Sequence, residues 1–238
     1  MPPTIVLVHG AFAESSSWDA VIDLLLDAGH PVIAAANPLR GVATDAAAVA
    51  DVVRAVEGPV VLAAHSYGGA VLSNVPADAG DILGLVYVNA FAPDSGESCF
   101  ALAGKFPGSM LGEATLRPVP RTDGTTDLFI IQDRFHDLFC ADVLAPRAER
   151  MAVTQRPATQ EALTEPSGER SLWKEVSSWF LVGEDDRIIP PALQHYMADR
   201  AQAHQALEIP GASHGITISH PNETANLILE AAVSHVAA

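Results

Sequence analysis

Hydrophobic residues along this chain form short, nearly continuous runs that alternate with longer segments of helical spacing. The runs lie at residues 4–9, 31–35, 59–65, 82–89, 177–182 and 206–209. Strands of a parallel sheet are buried on both faces and have this appearance, and the segments between the runs can form crossover helices. The pattern therefore predicts an α/β fold with parallel strands.

Helix signals fill the intervals between these runs. Apolar residues recur every three to four positions from Trp18 to Ala28, and Gly29 follows as a helix-ending residue. Comparable patterns predict helices near residues 44–58, 67–75 and 221–236, and one helix that starts at the proline pair 190–191. Each predicted strand is thus followed by a helix or a sharp loop.

The alternation stops between residues 92 and 170. Proline, glycine and charged residues are scattered there, and no apolar run of the earlier kind occurs. We interpret residues 92–170 as an inserted, mainly helical cap, with residues 1–91 and 171–238 forming the core.

Composition excludes several classes of protein. The 238 residues are 49% hydrophobic and 18% charged, which is too apolar for intrinsic disorder. The net charge of −16 would repel nucleic acids and anionic membrane surfaces, so we expect neither as a partner. No signal peptide or membrane-length apolar run is visible, and Cys99 and Cys140 suggest no disulfide framework. A soluble, cytoplasmic protein is expected, and a homodimer is compatible with the sequence.

A candidate nucleophile follows the third predicted strand. The segment Ala64-His65-Ser66-Tyr67-Gly68-Gly69 runs from that strand directly into a predicted helix. A small-x-Ser-x-Gly turn of this kind forces the serine into a strained conformation and exposes its hydroxyl above the sheet. We therefore predict Ser66 as the nucleophile, with the N–H of Tyr67 directed at developing negative charge.

Three further segments complete the predicted site. The turn after the first strand, residues 9–12, leaves the N–H of Ala11 as a second oxyanion donor. A serine nucleophile also needs a histidine base oriented by a carboxylate. His214, in a loop of small residues, is the predicted base, and Asp186 the predicted acid. Asp94, just beyond the fourth strand, remains an alternative acid.

These residues resemble the α/β-hydrolase superfamily, specifically the small cap-bearing esterases related to plant methyl-ester hydrolases and hydroxynitrile lyases. The resemblance covers essentially the whole chain, and it gives Ser66, Asp186, His214 and the loop at Ala11 the roles predicted above. Two antiparallel strands at the N-terminus of that superfamily have no counterpart here. We therefore expect a sheet of about six strands, all or mostly parallel.

The predicted function is hydrolysis of small, largely apolar carboxylic esters or lactones through an acyl-enzyme. Six of the eight phenylalanines fall between residues 91 and 140, and we predict that Phe12, Phe91 and Phe135 contact the substrate. His9 and His65 are interpreted as structural. No metal-ligand or nucleotide-binding motif occurs, so no metal or cofactor is expected.

Alternative functions remain open at this point. Hydroxynitrile lyases of similar sequence carry threonine in place of Gly10 and lysine in place of Gly215, which disfavours that reaction. Carbon–carbon bond hydrolysis, perhydrolysis or halogenation could use the same residues, and a ligand-binding receptor could keep the pocket without turnover.

Eight of the 13 basic residues lie in the predicted cap, and one of its arginines is a candidate contact for a substrate carboxylate.

Overall fold

The structure is a computed structural model that describes residues 2–234. In chain order, the strands of this part of the chain are β1 (Thr4–Val8), β2 (Val32–Ala35), β3 (Pro59–Ser66), β4 (Asp81–Ala90), β5 (Leu116–Pro120), β6 (Thr126–Ile130), β7 (Ala158–Thr159), β8 (Ser178–Gly183) and β9 (Gln205–Ile209). The α-helices are α1 (Asp19–Asp27), α2 (Val42–Arg54), α3 (Tyr67–Ser73), α4 (Cys99–Ala103), α5 (Gln132–Phe139), α6 (Ala145–Thr154), α7 (Gln160–Thr164), α8 (Pro191–Arg200), α9 (Ile216–Ser219) and α10 (Pro221–Val233).

Six strands form one sheet in the order β2-β1-β3-β4-β8-β9, and every neighbouring pair is parallel. The prediction of an α/β-hydrolase fold with about six parallel strands is confirmed. In such a sheet the carboxyl ends of the strands meet at one edge, which is where ligands bind in α/β folds. The loops after β1, β3, β4, β8 and β9 therefore share that edge.

Both faces of the four central strands β1, β3, β4 and β8 are buried, as their continuous apolar runs require. Ile5 and Leu7 of β1 pack into the cluster that includes Trp18 and the residues of α1 and α10, whereas Val6 and Val8 pack into a larger cluster with α2 and α3. Successive side chains of a strand point to opposite faces, so each strand contributes to both layers. This explains why the strands carry almost no polar residue before their ends.

The segment between β4 and β8, which contains the predicted cap, combines helices with a small sheet. Helices α4 to α7 lie in it, together with the antiparallel sheet β5-β6-β7. The sequence analysis predicted the helices but not this sheet. Strand β5 contains two prolines and is mostly exposed, so it lacks the apolar run by which the core strands were recognised.

Several predicted boundaries differ from the observed ones by a few residues. The helix predicted near residues 44–58 spans Val42–Arg54, and a short helix, α9, was not predicted. The last helix was expected to reach residue 236, which lies outside the described residues. No helix among residues 2–234 is long and apolar enough to cross a membrane.

Candidate active site

Ser66 occupies the sharp turn between β3 and α3. Its backbone has φ 56° and ψ −127°, a conformation that is rare for a residue with a side chain. The turn requires small neighbours: a Cβ on Gly68 would lie 2.6 Å from the Val8 carbonyl oxygen. The small-x-Ser-x-Gly pattern therefore has a direct steric cause in the close approach of α3 to the end of β1.

Hydrogen bonds join Ser66, His214 and Asp186 in series. The Ser66 Oγ lies 2.9 Å from His214 Nε2, and His214 Nδ1 lies 2.9 Å from Asp186 Oδ2. Because a carboxylate only accepts hydrogen bonds, Nδ1 carries the proton and Nε2 is free to accept one from the serine hydroxyl. His214 is fully buried and Ser66 is 5% exposed, so these contacts lie in an environment of low polarity.

Four donors fix the carboxylate of Asp186. Oδ1 accepts from the backbone N–H groups of Ile188 (2.8 Å) and Ile189 (2.9 Å), while Oδ2 accepts from the Gln194 amide (3.0 Å) as well as from His214. The sequence analysis missed Gln194, which lies one helical turn inside α8. A buried glutamine shortly after the candidate acid was the signal for it.

Asp94, the alternative acid, has a different environment. Its carboxylate lies 2.5 Å from Lys174 Nζ and 3.4 Å from Ser171 Oγ, and its side chain is 31% exposed. The hydrogen-bond partner Lys174 and the backbone N–H of Ser95 lower the pKa of Asp94 despite the cost of desolvation. The structure does not bring Asp94 into hydrogen-bond contact with His214.

The loop after β1 lies directly against Ser66. A Cβ on Gly10 would be 2.5 Å from the Ser66 Cβ and 2.8 Å from the His65 carbonyl oxygen. Among the described residues, no group accepts a hydrogen bond from the Ala11 N–H. The Tyr67 N–H is the first of α3 and has no acceptor within that helix. Both predicted oxyanion donors are thus available beside Ser66.

Two histidines beside these residues are buried in the neutral form. Desolvation lowers the pKa of His9 to about 4 and, together with the nearby His214, lowers the pKa of His65 well below its usual range. His9 Nε2 accepts from the Asn37 N–H at 3.2 Å, so its Nδ1–H donates to the Gly10 carbonyl oxygen. These contacts support the interpretation that His9 and His65 are structural.

Asn89, at the end of β4, connects the acid and base segments. Its Oδ1 accepts from the Gly183 N–H at 2.6 Å, and its Nδ2 donates to the Ser213 carbonyl oxygen at 2.9 Å. Asn89 has φ 42°, a value that asparagine tolerates better than most residues. The sequence analysis did not select Asn89, although it is a polar residue at the carboxyl end of a buried run.

The three phenylalanines predicted to contact substrate lie in three different parts of the fold. Phe12 and Phe91 are 3% exposed and directly follow Ala11 and β4, respectively. Phe135 is fully buried and stacks on Phe139, and it is Phe139 whose ring contacts His214 edge-on at a centroid distance of 4.9 Å. Phe139 is therefore the aromatic residue of α5 that reaches the base.

A cavity of about 620 Å³ opens beside the loop after β1. Apolar and charged side chains both line it, among them Phe12, Ile218, Glu14, Arg147 and Arg150, whereas Ser66 and His214 are not among its lining residues. This volume falls within the range of small-molecule sites.

In the part of the chain that the structure describes, no group of three or more His, Cys, Asp or Glu side chains is arranged to hold a metal ion.

Comparison with known proteins identifies the family of this chain. A profile of the alpha/beta hydrolase family matches residues 5–227. A pyrethroid hydrolase of Sphingobium wenxiniae is 28% identical over 244 residues, covering 95% of this chain and 86% of the relative.

Solved structures have the same fold. A polyneuridine aldehyde esterase superposes with a TM-score of 0.80 at 20% identity, covering 97% of this chain and 99% of its own. A pyrethroid hydrolase from Sphingobium faniae gives a TM-score of 0.77 at 22% identity, covering 99% of each chain.

Proposed function

Because this chain belongs to the alpha/beta hydrolase family, we propose that it is a serine hydrolase that cleaves small, largely apolar carboxylic esters or lactones. The observation that carries the proposal is the hydrogen-bonded series from Ser66 through His214 to Asp186, beside two backbone N–H groups without acceptors. Similar proteins named as a hydrolase and an esterase support the same reaction class.

The first half of the reaction forms an acyl-enzyme. Ser66 Oγ attacks the ester carbonyl while His214 Nε2 takes the hydroxyl proton, and Asp186 stabilises the imidazolium that results. The negative charge on the carbonyl oxygen is stabilised by the N–H groups of Ala11 and Tyr67, and one such donor lowers the barrier by about 3 kcal/mol. His214 then protonates the leaving alcohol.

The second half releases the acid and restores the enzyme. A water molecule attacks the acyl group on Ser66 while His214 Nε2 again takes a proton, and the tetrahedral intermediate collapses to free acid and serine. The buried positions of Ser66 and His214 strengthen each electrostatic contact in these steps. The aromatic ring of Phe139, which packs against His214, favours an apolar part of the substrate.

Two glycines argue for hydrolysis over the hydroxynitrile lyase reaction. A side chain at Gly10 would collide with Ser66, and one at Gly215 would lie 3.0 Å from the Cys140 Cβ. The threonine found at the first position in similar lyases has no room beside Ser66, and the lysine found at the second would require Cys140 to shift. The proposal therefore keeps the acyl-enzyme route.

The proposal is tested by kinetics on short p-nitrophenyl esters and by covalent labelling. Ser66→Ala is expected to lower kcat/KM by about 10³-fold or more, and a fluorophosphonate should label Ser66 in the wild-type protein and not in the variant. An unchanged rate in Ser66→Ala would refute the mechanism. Tight ligand binding without any labelling would instead favour a receptor.

A further inference from the structure

The base loop, residues 211–215, is held from two sides. On the core side, His65 Nε2 donates to the His214 carbonyl oxygen at 2.9 Å, and Asn89 Nδ2 donates to the Ser213 carbonyl oxygen at 2.9 Å. These contacts fix the backbone of the loop. The Ser213 N–H and hydroxyl take part in neither contact, and they bind a different residue.

That partner is Asp142, which lies in the predicted cap. Asp142 Oδ2 accepts from the Ser213 N–H at 3.2 Å, and Asp142 Oδ1 accepts a short hydrogen bond from the Ser213 hydroxyl. Ser213 is 2% exposed and the Asp142 side chain 18% exposed. Hydrogen bonds to a charged acceptor are stronger than neutral ones, particularly away from water.

The turn that presents Asp142 is itself fixed. The Val143 N–H donates to the Cys140 carbonyl oxygen at 3.0 Å, and His136 Nε2 donates to the Val143 carbonyl oxygen at 2.8 Å. Because these hydrogen bonds fix the turn, the Asp142 carboxylate can hold the base loop in one position.

The same cap segment contacts three consecutive residues of the base loop. Asp142 binds Ser213, Phe139 packs edge-on against the His214 ring, and a Cβ on Gly215 would lie 3.0 Å from Cys140. The charged or titratable group next to Asp142 is His220, whose Nδ1 is 3.6 Å from Asp142 Oδ2 and 2.9 Å from Ser219 Oγ.

We propose that Asp142 is a positioning residue for His214, through its two hydrogen bonds to Ser213. This inference rests on the proposed function. Asp142 does not touch the reacting atoms, but it fixes the residue that precedes the base and thereby the place of His214 Nε2 relative to Ser66 Oγ. A displacement of about 1 Å in such a contact is enough to slow a reaction about 100-fold.

The test compares Asp142→Asn, Ser213→Ala and the double variant with the matched control Asp133→Asn. Asp133 is an exposed cap aspartate in the first turn of α5, with no hydrogen bond to the base loop. Rates on p-nitrophenyl butyrate are divided by the number of sites that a fluorophosphonate labels, so that a fraction of unfolded protein does not lower the measured kcat.

Asp142→Asn and Ser213→Ala are each expected to lower kcat about tenfold with KM within about twofold, because ground-state binding is unaffected. The double variant should be slowed by less than the product of the two single effects, since both substitutions act on the same pair of hydrogen bonds, of which Ser213→Ala removes the hydroxyl bond and keeps the N–H donor. Asp142→Glu, which keeps the carboxylate, should retain more activity than Asp142→Asn, and Asp133→Asn should match the wild type.

Values of kcat per labelled site equal to wild type in all variants would overturn the role of Asp142 while leaving the proposed function intact. Losses that multiply in the double variant would overturn it too, because they would mean that Asp142 and Ser213 act independently. A wild-type protein that neither turns over esters nor labels at Ser66 would overturn both proposals.

Discussion

Asp186 and Asp94 both follow a core strand, but only one of them has surroundings that orient a histidine. Asp186 has a fully buried side chain with four hydrogen-bond donors, one of which is His214. Asp94 pairs with the exposed Lys174. The carboxylate that orients the base must be fixed itself, and this condition selects Asp186.

Asp186→Asn is therefore expected to lower kcat on p-nitrophenyl esters by about 10⁴-fold, because an amide facing Nδ1 favours the wrong tautomer of His214. Asp94→Asn is the matched control, and its kcat should stay within about threefold of wild type because it loses only a partly exposed ion pair. Steady-state kinetics on both variants measure the difference. A larger loss in Asp94→Asn than in Asp186→Asn would reverse the assignment of the acid.

The residues that could be predicted from the sequence are those with a local signature. Ser66 lies in a turn that needs small neighbours, Asp186 follows the buried strand β8, and His214 lies in a loop of small residues after β9. Asn89 and Gln194 are polar residues at recognisable places, but the sequence does not show which groups they bind. The partners of Asn89 are 94 and 124 positions away, and Gln194 binds Asp186 from within α8. That Phe139 contacts His214 depends on side-chain direction within α5, which composition does not determine.

At the scale of elements, the core was predictable because burial on both faces leaves a continuous apolar run in each strand. In the cap segment, strand β5 escaped prediction because it is mostly exposed, and β7 because it spans only two residues. Strand β5 pairs only with β6, and Arg121 and Gly124 close the hairpin between them. Its prolines are compatible with an edge strand but remove the signal that a buried strand gives.

A group of hydrogen bonds around Arg40 joins the core to the small sheet of the cap segment. Arg40, in the loop between β2 and α2, donates from one guanidinium nitrogen to Asp127 of β6 at 2.7 Å and from the other to the Pro157 carbonyl oxygen at 3.0 Å. The Asp127 side chain is only 7% exposed, and Arg121 binds its second oxygen at 2.9 Å. Loss of Arg40 would leave this buried carboxylate with a single cationic partner.

Arg40→Met is expected to destabilise the protein by about 1–3 kcal/mol and to expose the cap segment to limited proteolysis. Because the Arg40 side chain is 35% exposed, solvent screens its charge and the loss of unfolding free energy falls in the lower part of this range. Arg54→Met is the matched control: its ion pair with Asp51 is exposed on both sides and should contribute less than about 0.5 kcal/mol. Equal urea midpoints and equal cleavage rates for the two variants would show that Arg40 does not hold the cap segment.

For the whole molecule, buried neutral histidines couple folding to pH. In the unfolded chain His9 has an ordinary pKa near 6.5, whereas burial lowers the pKa in the folded protein to about 4. Between pH 6.5 and pH 4 the unfolded state binds more protons at His9 than the folded state does. The contribution of neutral His9 to the free energy of unfolding is therefore complete above about pH 6.5 and is lost as pH falls toward 4. His65 acts in the same direction, because burial lowers its pKa as well. Asp45 acts in the opposite direction, since burial raises the pKa of its carboxyl.

Comparison of the wild type with His9→Gln isolates one histidine from these opposing contributions, because His65 and Asp45 are present in both proteins. A glutamine can supply one donor and one acceptor in place of the ring nitrogens that bind Gly10 and Asn37. Between pH 7.5 and 4.5 the wild type should lose about 2–3 kcal/mol more unfolding free energy than His9→Gln, as measured by urea denaturation at each pH. A difference between the two proteins that does not change with pH would mean that His9 has the same pKa in the folded and unfolded chain, which would contradict the lowered pKa of the buried ring.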